Sequence, residues 1–349
     1  MNIFILSNQL NEFSGCNYYR SVVPGKYLHK LGKHSVLITN KIPSARSTKT
    51  FADDQGIIQT QQITGLDEAE LEKYDVFVFQ RYYMDYPAPI VGLVQWAKSK
   101  GRKVVYELDD LLTEIPRHNP CFPDVMLPST QTLIQFLLKN ADVITCASTA
   151  LKDKYQGKLL PNCLDFEVWD EALAIIPVKH EKVRIGFVGG ASHQEDLKMI
   201  APVMKKLVER GDVEVHIFGI NPDWDVPCVV EEFTKVSRYP FRMRKLAFDI
   251  GIAPLVKDNF NQFKSNIKWL EYSALEIPTV ASNERPYVSI KDTTTGYLCN
   301  TLEDWERNLT LLIENPKLRH RIGKQAHTWV RSRYDIVENW HLWEEAYKK

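Results

Sequence analysis

Closely spaced cysteines are missing from this chain of 349 residues: Cys16, Cys121, Cys146, Cys163, Cys228 and Cys299 lie far apart, with no C-x-x-C pair. That spacing excludes a zinc knuckle and a compact disulfide framework. Most of the six sit among apolar neighbours, where a thiol acts as a small core residue, so a reducing cytoplasm is the expected home. An excess of one charge is missing too. Lys plus Arg number 44 and Asp plus Glu number 44, so no global field draws the protein to nucleic acid or anionic lipid. No apolar run approaches the ~18 residues of a membrane span. The opening MNIFILSNQL has too short an apolar run, and no basic leader, for a signal peptide. No integral membrane segment is expected.

What is present is an ordinary globular composition, 44% hydrophobic and 25% charged, in a chain long enough for two cores. Short β-rich runs recur at Ile3–Leu6, Ser35–Thr39, Val76–Phe79, Val104–Glu107 and Val143–Cys146. Helical patterns intervene around Tyr18–Leu31, Ala88–Lys100 and Ser129–Lys139. A break follows at Leu159–Pro161, and Glu167–Lys182 carries no clear strand. The alternation then restarts with Val183–Val188, Glu214–Phe218, Cys228–Phe233, Ile250–Leu255, Thr279–Ala281 and Tyr297–Cys299. Its helical patterns are Glu195–Arg210, Asn266–Leu275, Leu302–Glu314 and Pro316–Ser332. Such alternation predicts an α/β protein of two doubly wound, Rossmann-like domains, with the carboxyl ends of both sheets facing a cleft. The expected domains are 1–165 and 166–332, with the aromatic helix within 333–349 capping the second or crossing back onto the first.

Four segments carry candidate chemistry. In VRIGFVGGASHQEDL (Val183–Leu197) a strand runs into Gly189-Gly190, and Ser192-x-x-Glu195 reads as a capping box. Free N–H groups at such a helix start attract phosphate, and His193 on the first turn can donate to a phosphoryl oxygen. The bland alternative is a tight turn with a solvated histidine. In NQFKSNIKWLEYSALEIP a helix from about Ser265 buries Ile267, Leu270, Ala274 and Leu275 and puts Lys264, Lys268 and Glu271 on another face. Lysines at a helix N-terminus oppose the macrodipole, and a bound anion accounts for them better than helix stability does. A solvated Lys–Glu pair is the alternative. In VVYELDDLL, Asp109 and Asp110 follow a buried strand at the cleft edge. They can orient an acceptor hydroxyl, take its proton, hold a divalent metal, or simply cap a helix. Lastly, Gly15 and Arg20 lie in and after the loop Asn8–Pro24, where such folds reach ligand; Arg20 suits a phosphate or only a local acid.

Together these segments resemble the group 1 family of retaining glycosyltransferases, of GT-B fold, and within it the O-antigen and bacteriophage branch. GFVGGASHQEDL is similar to that branch's strand–Gly–x–x–x–His–x–x–Asp pattern; FDIGIAPL, FNQFKSNIKWLEYSALEIPTVAS and GKQAHTWVRSRY follow in order. GCNYYRSVVPGKYL, YDVFVFQR, VVYELDDLL and LLPNCLD match in the first half, with Cys163 where the interdomain motif has glycine. The resemblance implies that Gly189, Gly190, His193, Lys264, Ser265 and Lys268 face the donor diphosphate. Glu271 matches the second glutamate of the E-x7-E element, which holds the ribose, while Phe263 replaces the first. It further implies transfer with retention, no cofactor, no essential metal, and Asp109 and Asp110 as acceptor-side residues. The partners implied are a nucleotide-sugar donor and an acceptor glycan or a modified DNA base.

Two other classes fit less well. A nicotinamide-dependent oxidoreductase needs G-x-G-x-x-G after its first strand, and SNQLNEFSGCN fails that pattern. A non-catalytic nucleotide-sugar binder gains weight from the missing first glutamate. Arg238–Lys245 (RYPFRMRK) interleaves aromatic and cationic residues as nucleic-acid surfaces do, or forms a plain cationic rim.

Overall fold

The structure is a computed structural model that describes residues 1–7, 11–52, 58–83 and 87–348. Asn8, Gln9 and Leu10, where the ligand-reaching loop was expected to begin, lie outside the described residues. The first half contains β1 (Asn2–Ser7), β2 (Ser35–Thr39), β3 (Ser44–Ala52), β4 (Ile58–Leu66), β5 (Val76–Gln80), β6 (Lys103–Leu108), β7 (Val143–Cys146) and β8 (Lys158–Leu159). All but β3 and β4 form one parallel six-stranded sheet in the order β2-β1-β5-β6-β7-β8. The second half contains β9 (Val183–Val188), β10 (Val213–Phe218), β11 (Val229–Glu231), β12 (Ile250–Ala253), β13 (Thr279–Ser282) and β14 (Tyr297–Cys299). These form a second parallel sheet in the order β11-β10-β9-β12-β13-β14. The fold is the expected pair of doubly wound sheets.

Side-chain alternation along the strands explains how each sheet is covered. In β1, Phe4 and Leu6 join Phe77, Phe79 and Tyr106 beneath the helices Pro87–Ser99 and Pro128–Asn140. Ile3 and Ile5 join Val76, Val78 and Val105 on the opposite face. That face is covered by the helix Val23–Lys30 and by the last helix, Ile336–Tyr347, through Ile336, Trp343, Ala346 and Tyr347. The chain therefore crosses back onto the first sheet. The crossing is stitched by Leu164 N–H to Tyr334 O at 2.8 Å and Ile336 N–H to Leu164 O at 3.0 Å. Burying one side chain such as Ile336 is worth about 1.5–3 kcal/mol, so this helix is part of the first core.

In the second sheet the order reverses between β9 and β12, the switch point at which doubly wound sheets bind ligands. Gly186 in β9 is needed there: a Cβ on it would lie 2.2 Å from the Phe248 ring. In the first sheet the corresponding reversal lies between β1 and β5.

Local departures from the sequence reading have local causes. The antiparallel hairpin β3–β4 was hidden by its Ser-, Thr- and Gln-rich composition, which resembles loop. The helix expected from Tyr18 begins at Gly15 and passes through a π-helical turn at Tyr18–Val22. The capping box does not form. Ala191–His193 make a 3₁₀ turn, and the helix Gln194–Glu209 starts after His193 with no side-chain cap. The helix expected from Ser265 runs from Ile267 to Ala274. No helix follows Asp109 and Asp110 directly, so neither caps one.

Candidate active site

Both switch points open onto one cavity of about 230 Å³ between the halves. The loops after β1 and β6 bring Gly15, Arg20, Asp109 and Asp110 to it; the segments after β9 and β12 bring His193, Lys264, Ser265, Lys268 and Glu271. Gly189 and Gly190 do not line it, and Ser192 does. A Cβ on Gly189 would meet the Phe187 ring at 2.8 Å and His193 at 3.1 Å. This glycine thus serves close packing behind the site.

Arg20 is not a free phosphate donor. It is 2% exposed; Nε and Nη2 donate to Glu107 Oε1 at 2.8 and 2.6 Å, and Nη1 donates to Leu160 O and Asn162 Oδ1. The local-acid alternative is the one realised. Burial opposes its charge, but Glu107 outweighs burial and raises its pKa. Thr145 donates to the other Glu107 oxygen. Asn162 in turn donates to Ser265 Oγ at 2.9 Å, so this buried network crosses to the second half and orients Ser265.

Arg81 was not among the expected residues. It follows β5 directly with φ of 61°, a left-handed backbone that costs a non-glycine residue roughly 1–2 kcal/mol. Tyr106 OH to Arg81 O (2.7 Å) and Arg81 N–H to Glu107 O (2.9 Å) hold it there. Its Nη1 donates to Asp109 at 2.6 Å, Asp110 at 3.3 Å and Cys16 Sγ at 3.3 Å. Burial would raise the pKa of Asp109, but Arg81 beside it lowers it below the usual carboxylate value. The two aspartates are therefore an ion-paired unit. Arg81 was legible by the logic used for Asp109, as a polar residue immediately after a buried strand.

In the second half His193 Nδ1 lies 2.7 Å from Asp196 Oδ2, and its Nε2 lies 2.9 Å from Lys268 Nζ. The single N–H of the neutral ring goes to the carboxylate, so His193 accepts from Lys268 and has no N–H left for a phosphate. Burial, and then Lys268, pushes the imidazole down to about 3. Lys268 is lowered to about 8 by burial and by Lys264, against the opposing pull of Glu271, Asp196 and Asp110. Lys264 lies over the Phe260 ring at 4.8 Å.

Both oxygens of Glu271 are engaged, by Tyr19 OH at 2.8 Å and Tyr239 OH at 2.7 Å. Tyr19 comes from the π-helical turn of the first half, so this bond spans the cleft. Burial raises the Glu271 pKa. Tyr239 belongs to the RYPFRMRK segment, whose Arg242 pairs with Glu231 and whose Arg244 Nε donates to Ile175 O at 2.9 Å. These partners favour the plain-rim reading of that segment.

No family model and no curated protein matches the chain by sequence. Solved structures do match by fold. A sucrose-phosphate synthase from Thermosynechococcus elongatus is 11% identical at TM-score 0.66, covering 99% of this chain and 98% of its own. Anabaena HepE, solved with UDP and glucose, is 12% identical at TM-score 0.63, covering 99% and 98%. An alpha-glucosyltransferase solved with UDP and a 13-mer DNA containing an HMU base is 13% identical at TM-score 0.64, covering 100% and 99%. The chain has the GT-B fold of these glycosyltransferases. Among the described residues no helix is long and apolar enough to cross a membrane.

Proposed function

We propose that the protein is a glycosyltransferase moving a sugar from a nucleotide-diphosphate donor to an acceptor hydroxyl with retention. The observation carrying this reading is a single cavity that sets Lys264 and Lys268 against the carboxylates of Asp109 and Asp110. Domain 166–332 binds the donor; domain 1–165, with 333–349 packed back on it, presents the acceptor. The acceptor is a glycan or a modified DNA base, as in the DNA-bound structural neighbour. Six free thiols suit a cytoplasmic enzyme.

Lys264, Lys268 and the Ser265 hydroxyl receive the diphosphate. Charge grows on the phosphates as the sugar bond breaks, and a positive neighbour in a buried site is then worth more than before. Asp109 and Asp110 accept from the incoming hydroxyl and orient it; a phosphate oxygen takes its proton on the same face, so no separate strong base is required. Turnover needs neither cofactor nor metal. A thermal-shift panel of UDP-, GDP- and dTDP-sugars identifies the donor, and its slow hydrolysis without acceptor separates an enzyme from a pure binder. Loss of turnover in EDTA, restored by Mg²⁺ or Mn²⁺, would reassign the two aspartates.

A further inference from the structure

Asp196 is 2% exposed in the first turn of the helix Gln194–Glu209, and both its oxygens are occupied. Oδ1 accepts from Val256 N–H at 2.7 Å and from Asn261 Nδ2 at 3.1 Å. Oδ2 faces His193 Nδ1, and His193 Nε2 faces Lys268 Nζ. A carboxylate only accepts and an ammonium only donates, so the two partners leave the imidazole one tautomer: proton on Nδ1, lone pair of Nε2 toward the lysine. We infer that Asp196 is a positioning residue that, through His193, holds the Lys268 ammonium by one N–H and leaves the others for the cavity. The same carboxylate ties the turn after β9 to the segment after β12 that carries Lys264 and Lys268. The low proton affinity of His193 agrees, because a charged ring would repel the lysine.

The isosteric Asp196→Asn is informative because its orientation is dictated. Two N–H donors meet the Oδ1 side, so the amide oxygen must lie there and the NH₂ must face His193 Nδ1. The imidazole proton then moves to Nε2, where it confronts Lys268, donor against donor. His193→Gln is the conservative counterpart, since one amide can donate to Asp196 and accept from Lys268 together.

The test combines ¹⁵N-histidine NMR of the ligand-free protein with steady-state kinetics; only the kinetic part rests on the glycosyltransferase reading. The expected result is an unprotonated Nε2 in wild type and a protonated one in Asp196→Asn. Its kcat should fall at least about tenfold with KM for donor nearly unchanged, whereas His193→Gln keeps more activity than His193→Ala. A protonated Nε2 in wild type, or a tautomer that Asp196→Asn leaves in place, would overturn the relay. A flipped tautomer with wild-type kcat would overturn its positioning role. If the wild-type tautomer is as stated but no nucleotide-sugar is bound or turned over, the relay stands and the glycosyltransferase reading falls.

Discussion

In the first half Arg20 lies against Glu107, and Arg81 against Asp109 and Asp110, so each buried guanidinium meets a carboxylate. In the second half Lys268 meets a neutral imidazole and Lys264 the face of Phe260; among the described residues neither pairs with a carboxylate. The first arrangement is a closed framework in which both cations are paired. The second leaves two ammonium groups without a direct carboxylate partner at a switch point, an arrangement that suits an anionic ligand. On the proposed function, the contrast gives rigidity to one wall of the cavity and charge recognition to the other.

The largest effect should come from breaking the closed framework. Glu107→Ala strands Arg20 at 1% side-chain exposure. Removing one partner of a buried pair typically costs about 3–5 kcal/mol, so urea unfolding should show a loss of that order. A loss below ~1 kcal/mol, the value of an exposed pair, would show that water reaches Arg20. Lys268→Ala should behave oppositely: the fold persists and kcat at saturating donor drops at least about tenfold, or ~1.4 kcal/mol. An unchanged kcat would remove the lysine from the reacting phosphates and erase the contrast.

The pH dependence sharpens it further. Burial and Lys264 hold Lys268 down at about 8, below the ordinary lysine value of 10.5, so between these values the unfolded chain binds more protons. Stability contributed by this group therefore rises with pH across that window. Donor affinity should fall over the same window as the cation is lost, and calorimetry with Lys268→Met should abolish that fall. Asp109 has the same sign in an acidic window: its lowered pKa contributes stability that is present above its ordinary value of 3.8 and is lost as pH falls through the folded value. The smallest effect is expected at one of the bonds that join the halves, Tyr19 to Glu271. Tyr19→Phe deletes the hydroxyl donated to Glu271 and should cost about 0.5–1.5 kcal/mol in thermal unfolding. No change at all would mean that this hydrogen bond is not formed in solution.

Much of the architecture was legible because strand burial writes itself into composition. Val76–Gln80 reads VFVFQ and is buried throughout, as a parallel strand covered on both faces must be. The same signal placed Asp109 at the cleft, since a polar residue directly after a buried strand has few other places to go; Lys268 was placed there by the polar face of the helix that follows β12. Sequence reading failed for β3 and β4, whose polar residues carry no burial signal, and for the capping box, where Ser192 was drawn into a 3₁₀ turn.

By itself, then, the sequence determined the alternation of strands and helices, the two sheets and the turns that reach their switch points. These follow from local periodicity and from which residues avoid water. The tertiary structure decided which charges meet. Arg20 reads equally well as a phosphate ligand or an ion-pair partner until Glu107, 87 positions away, is seen beside it. His193 reads as a donor until Asp196 and Lys268 settle its tautomer. Electrostatic partners are chosen by distance in space, and residues from the segments after β1, β6, β9 and β12 come within reach only once both sheets have closed over one cavity.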